Sequence, residues 1–205
     1  VRGVVDSQDL SLNISREMLQ HDRQLKVMAA NLEKKIKAEL TRLCENDREK
    51  YEKFFTAFGV QLKYGVVADY GQKKELLQDL LLYWSEKEDK FVTLKQYADA
   101  MPEDQKYIYY AAGESRGRLA QLPQLAQLKA KGYDVLFMTD EVDEFIPTTL
   151  HKYADKEFRS ISAEDLGLAT EEEKKAAEEK AEQSKTTLDF VKETLGDAVK
   201  DVRLS

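Results

Sequence analysis

The sequence predicts an α/β fold: a three-layer α/β/α unit around a small, mostly parallel sheet, preceded by a helical segment and followed by a long exit helix. Three observations predict it. Leu25, Met28, Leu32, Ile36, Leu40 and Leu43 recur every three or four residues, which places them in one helical stripe. Two short runs of β-formers, residues 106–111 and 134–138, flank helical patterns long enough for a parallel crossover. Thr170, with Glu173 three residues on, opens an Ala- and Glu-rich run as a capping box does.

Taken in order, residues 1–20 read as the end of a larger unit. Residues 1–5 read as a strand and Asp6-Ser7 as a turn, and residues 10–15 alternate without helical period. Residues 21–90 read as helical. The striped helix starts at about Asp22; a second passes through Tyr51, Phe54, Phe55 and Phe58 and is expected to stop at Gly59. A third, marked by Leu76, Leu77, Leu80 and Leu81, is expected to end near Tyr83-Trp84. Residues 91–162 read as a small α/β/α subdomain. Phe91-Val92-Thr93-Leu94 leads into a short helix that closes before Pro102, and residues 106–111 form a strand. Short helices follow, the second opened by Pro123 and ended by Gly132. The strand at 134–138, a helix carrying Phe145 and Leu150, and a strand at 158–161 complete it. Residues 163–205 read as a linker and then a helix whose stripe resumes at Leu188, Val191, Leu195, Val199 and Val202.

Composition narrows the function classes. With 205 residues, 42% of them hydrophobic, the chain can bury a sizeable core, and no stretch approaches the run of about 20 apolar residues that spans a membrane. The net charge of -7 falls on the C-terminal part: residues 1–139 sum to +1 and residues 140–205 to -8. Phosphate-backbone binding needs a basic stripe. Lys34, Lys35 and Lys37 instead read as an exposed helix face, so nucleic acid is not expected as a partner. One cysteine excludes a disulfide framework and points to a reducing, cytoplasmic setting. The first residue is Val1 rather than Met, and both ends read as cut from something longer.

Several residues invite chemistry. Gly113-Glu114-Ser115-Arg116-Gly117-Arg118 lacks the ending of a phosphate loop and reads as a turn with a helix cap. His21 and His151 have no partner at metal spacing, and no metal site is expected. Cys44 lies in an apolar stripe and reads as buried and inert. Asp140, Glu141, Asp143 and Glu144 follow a strand; acids opposing a helix dipole are favoured there over a magnesium site. The charge run at 171–182 reads as a solvated face. Arg16 and Gln20 stand four apart in a polar stretch, on one side of it if it is helical. An Arg offers a forked cation for phosphate oxygens and a Gln can orient a water.

Arg2-Gly3-Val4-Val5-Asp6-Ser7, then Leu10-Ser11-Leu12-Asn13-Ile14-Ser15-Arg16-Glu17-Met18-Leu19-Gln20, resembles the signature of the ninety-kilodalton heat-shock chaperone family in its bacterial form. The likeness continues at 54–58, at Met101-Pro102-Glu103, Gln105-Lys106 and Ile108-Tyr109-Tyr110, at Gly113-Glu114-Ser115, at Asp140 with Asp143-Glu144, and at 199–205. It runs in order along essentially the whole chain.

The resemblance implies a middle-domain segment of an ATP-dependent chaperone, reaching the start of the C-terminal domain. It places the family's catalytic-loop arginine on Arg16, reaching the ATP γ-phosphate, and the partner glutamine on Gln20. It implies ATP and magnesium held mainly by an N-terminal ATPase domain of the same protein, so that this chain alone is inactive. It implies client contact through Phe145, Ile146, Thr148 and Thr149, although Pro147 is unusual in that helix and Phe145 reads equally well as core. The expected partners are unfolded or partly folded client proteins, the N-terminal domain, and a second copy in the full-length homodimer; the chain alone is expected to be monomeric. The alternative is a passive client- or partner-binding scaffold in which Arg16 has no chemical part.

Overall fold

The computed structural model describes residues 23–163 and 165–168. The readings made for residues 1–22, Arg16, Gln20 and His21 among them, and for the exit helix lie outside the described residues. Compactness divides the chain into residues 1–162 and 163–205. In the second unit Gly167 turns at a φ of 67° and donates its N–H to Asp165 Oδ1 at 2.7 Å.

Two long helices come first. Helix α1 (Arg23–Asn46) carries the expected stripe, but only its last turns meet the core, through Leu40, Leu43 and buried Cys44. Val27, Leu32 and Ile36 are exposed. Helix α2 (Arg48–Val67) is capped by Asp47, whose carboxylate accepts the Lys50 N–H. It presents Tyr51, Phe55 and Val66 inward, and the Tyr51 hydroxyl donates to the buried Leu80 carbonyl at 2.6 Å.

Gly59 does not end this helix, as its composition suggested; it lies in the middle of α2. A Cβ built there would stand 2.7–2.9 Å from three atoms of the Phe55 ring. The glycine is a packing device that lets the ring lie against the helix backbone one turn on. Gly59→Ala gains about 1 kcal/mol of helix propensity but overpacks the ring contact, at about 1–3 kcal/mol. We expect a net loss near 1 kcal/mol, read as a melting temperature lower by about 2–4 °C. An unchanged or higher melting temperature would show that the ring moves aside freely.

After a turn (Ala68–Gly71) in which Asp69, Tyr70 and Gly71 stand at positive φ comes α3 (Lys74–Leu77), then a 3₁₀ turn (Gln78–Leu80). The leucine run does not carry a helix to Trp84. The backbone extends at Leu81, and strand β1 (Leu82–Ser85) follows. Leu80, Leu81, Leu82 and Tyr83 are all buried in succession, which a helix with one exposed side cannot achieve and a strand inside a sheet can. The sheet therefore begins inside the segment read as helical. β2 (Lys90–Thr93) pairs back on β1, and Thr93 and Gln96 form a capping box for α4 (Leu94–Asp99).

β3 (Tyr107–Ala112), α5 (Arg116–Leu119), α6 (Gln124–Ala130) and β4 (Leu136–Met138) form the expected crossover, with β3 and β4 parallel. A 3₁₀ turn (Glu141–Glu144), α7 (Ile146–Leu150), β5 (Lys152–Tyr153) and β6 (Lys156–Ser160) complete the unit. The sheet order is β2-β1-β4-β3-β6-β5. Its central strands β4, β3 and β6 run parallel, the antiparallel hairpin β1–β2 flanks them on one side and β5 folds back antiparallel on β6 at the other, so the whole sheet is mixed. The second hairpin turns through Ala154 and Asp155, both at positive φ, as tight two-residue turns require.

Strand alternation gives the sheet two faces. Tyr83, Leu136, Met138 and Ile108 join Tyr51, Phe55, Val66, Ile146 and Leu150 in the main core, so α2 and α7 cover one face. Phe137, Ala111 and Tyr109 alternate to the other. Leu119, Leu125 and Leu128 of the crossover helices are buried outside the main cluster. This is the α/β/α sandwich, and it brings α2 against the chain that leaves β4.

Candidate functional site

The chain leaving β4 carries the residues assigned to client contact. Asp140 caps the 3₁₀ turn in a capping box with Asp143, which accepts the Asp140 N–H at 3.0 Å. Pro147 falls in the first turn of α7, where its missing N–H costs nothing. The helix lasts one turn and ends at His151, exposed and at a φ of 61°.

Burial sorts the four predicted contact residues. Phe145 is 60% exposed and so is not a core residue; Thr148 is also exposed, and Thr149 is half-buried. Ile146 is 0% exposed and belongs to the main core, so it cannot meet a partner while the fold is closed. The expectation for Ile146 as a contact is corrected to an anchor: with Leu150 it pins the helix that displays Phe145. Thr149 donates both its N–H and its hydroxyl to the Phe145 carbonyl, at 2.9 and 2.8 Å. On the far side, Lys74 Nζ donates to the Thr149 carbonyl. Gly71, at a φ of 79°, makes room for Thr149: a Cβ there would stand 2.7 Å from Thr149 Cγ2.

Beneath this segment sits a residue that sequence reasoning missed. Lys63 projects inward from α2, and its Nζ lies 2.7 Å from Asp140 Oδ2 and 2.8 Å from Asp143 Oδ2. The Lys63 side chain is 4% exposed and that of Asp143 0%. The ammonium also lies 4.7 Å from the centre of the Tyr83 ring. Burial pushes the Asp143 carboxyl above its ordinary range, against the lowering pull of Lys63; burial, then the two aspartates, raises the Tyr83 hydroxyl. The acidic cluster is thus a helix cap whose charge a lysine compensates. Its signal was present in the sequence, since Tyr51, Phe55, Gly59 and Lys63 recur every fourth residue and only the last breaks the apolar pattern.

The remaining candidates resolve simply. Ser115 caps α5, accepting the Arg118 N–H at 3.4 Å, Glu114 pairs with Arg118, and the Arg116 guanidinium lies over the Trp84 ring. Cys44 Sγ accepts from Arg48 at 3.2 Å, and burial pushes its thiol up, which disfavours the reactive thiolate. Lys34 and Lys35 are exposed, while Lys37 donates to the Glu75 carbonyl. Among the described residues no helix is long and apolar enough to cross a membrane. No cluster of three potential metal-ligating residues was found among them either.

Comparison with known proteins agrees along the whole chain. The Hsp90 protein family profile matches residues 1–205. The chain is 56% identical to the chaperone protein HtpG of Oceanobacillus iheyensis over 205 residues, all of this chain and 33% of that protein. It is 53% identical to the chaperone protein HtpG of Bacillus subtilis, with the same coverage. The chain thus spans about a third of these relatives' length. Among solved structures, the middle domain of a Plasmodium falciparum heat shock protein superposes with a TM-score of 0.62 at 33% identity, over 70% of this chain and 60% of that one. With its described fold shared by such a middle domain and its full sequence matched, the chain belongs to the Hsp90 protein family.

Proposed function

We propose that this chain is the middle-domain part of an ATP-dependent cytoplasmic chaperone, that it holds part of the client-binding surface, and that it supplies Arg16 to an ATPase site completed by an N-terminal domain. The observation that carries the client reading is the display of Phe145: a large apolar side chain stands in solvent at the start of α7, a helix whose Ile146 and Leu150 are locked in the core. A rigidly presented aromatic buries much area with little loss of freedom, and so suits unfolded segments of varied sequence.

The ATPase half of the reading rests on the family match and the catalytic-loop signature. ATP with its magnesium supplies the phosphoryl group. Arg16 brings a fixed cation to the γ-phosphate, and Gln20 orients its surroundings. The same membership supports assembly as a homodimer in the full-length protein.

The client reading is tested with fluorescein-labelled, reduced and carboxymethylated α-lactalbumin, a chain without a folded state. Phe145→Ala is expected to weaken its binding about ten- to thirtyfold, while the melting temperature stays put because the side chain lies outside the core. Unchanged binding would sink the assignment of Phe145.

A further inference from the structure

We propose that Lys63 is a positioning residue for the Phe145 surface: its ammonium clamps the chain between β4 and α7 onto α2 and thereby sets where Phe145 stands. The inference rests on the reading of Phe145 as a client contact only for its consequence in binding; the clamp itself is geometric.

Four observations combine. First, Lys63 joins elements far apart in sequence, reaching Asp140 and Asp143 from the next-to-last turn of α2. Second, it holds both aspartates of the capping box, the residues that fix the backbone two to five positions before Phe145. Third, the segment it holds has little regular pairing of its own: a 3₁₀ turn of 4 residues and a helix of 5, with a proline in its first turn and followed by a residue at positive φ. Elements this short are not stable by their own hydrogen bonds and take their position from tertiary contacts. Fourth, the clamp is lopsided. Asp143 is sealed under the turn whereas the Asp140 side chain is 38% exposed, so one arm is buried and the other reaches the rim beside the displayed surface.

An apolar residue at position 63 would fill the same space and add burial. A doubly engaged buried cation costs desolvation instead, but it is directional: it fixes the turn in one register where apolar packing would tolerate sliding. The clamp therefore acts chiefly on where the segment sits, and on binding through Phe145.

The experiment separates placement from overall stability. In the full chain, Lys63→Met is combined with Asp140→Asn and Asp143→Asn, which removes the three charges together while the Asn side chains keep the backbone caps. Hydrogen exchange of residues 142–150 and binding of labelled, carboxymethylated α-lactalbumin are measured, with circular dichroism to confirm a cooperative melt. We expect exchange in this segment to quicken at least tenfold while that of β3 is unchanged. Probe binding should fall to the level of Phe145→Ala, and adding Phe145→Ala to the triple variant should cost nothing more. Asp140→Asn alone, at the rim, keeps the buried arm; it provides a folded variant if the triple one fails and is expected to quicken exchange in the same segment by a smaller factor. Exchange at the parent rate in a folded variant overturns the clamp. Quickened exchange while Phe145→Ala itself leaves probe binding intact supports the clamp and overturns only the client reading.

Discussion

Replacing Lys63 by Met alone is expected to destabilise the fold by about 3–5 kcal/mol, the usual result of removing one partner from a buried ion pair. That is a large share of the 5–15 kcal/mol typical of a domain. The loss comes from what remains. Asp143, with no exposed surface, would keep a carboxylate whose Oδ2 is left with the Asp140 N–H alone and whose Oδ1 has no hydrogen-bond partner among the described residues. The buried Tyr83 hydroxyl likewise has no partner there. Chemical denaturation should show the midpoint falling with little change in slope. The charge-free triple variant should recover much of the loss, because the uncompensated ion is gone. A deficit below about 1 kcal/mol for Lys63→Met would mean that the carboxylates reach solvent and that the pair behaves like a surface bridge.

The same change carries a pH signature of known sign. Burial already holds the Asp143 carboxyl above its ordinary value of 3.8, in spite of Lys63. A carboxyl raised in the folded state binds its proton more tightly there than in the unfolded chain. Its contribution is therefore present below the ordinary value and is lost as pH rises through the raised one. Without Lys63 the lowering pull disappears and the carboxyl rises further. The deficit of Lys63→Met should then be smallest at low pH, where the carboxyl is protonated, and grow as pH rises through the raised range. A deficit that grows on acidification would contradict this account.

The residues that misled the sequence reading share a cause with those that carry the site. Periodicity revealed α1 and α2 because each stripe repeats over many turns, and the β3–β4 crossover because both strands are dense in β-formers. It failed at residues 76–84, where leucines at helical spacing pass directly into a buried strand: a run buried on every side has no period. It failed at Gly59 because a glycine that ends a helix and one that admits a neighbouring ring look alike until the ring is placed. Strands β1, β2 and β5 were missed because strands of two to four residues give too few alternations to count, whereas the longer β6 was read at 158–161. At the site, the sequence singled out Asp140 and Asp143 and the helix after them, but not their partner 77 residues earlier for Asp140 and 80 for Asp143. Nor could pattern alone tell Ile146 from Phe145. On a helix of 5 residues and its capping residue, which side faces in depends on the sheet beneath.

The other large effect belongs to Arg16. In the full-length protein, Arg16→Ala is expected to lower ATP turnover by about a thousandfold or more, the range for an arginine that meets a transferring phosphoryl group, while nucleotide affinity stays within a few-fold. The two quantities separate because the nucleotide is expected to be held mainly by another domain, whereas charge on the γ-phosphoryl oxygens is redistributed as the bond to the leaving oxygen lengthens. A guanidinium placed against those oxygens then stabilises the transition state more than the ground state, so its loss appears in kcat. Arg16→Lys keeps a charge but not the planar fork, and should recover only part of the rate. Gln20→Ala should cost less than Arg16→Ala, since it removes a neutral hydrogen-bonding group from the surroundings rather than the cation at the γ-phosphate. Equal loss of affinity and turnover would place Arg16 in ground-state binding. Unchanged turnover would leave the arginine a structural residue and favour the passive scaffold, with Phe145 and the Lys63 clamp as the parts of this chain that still bear on function.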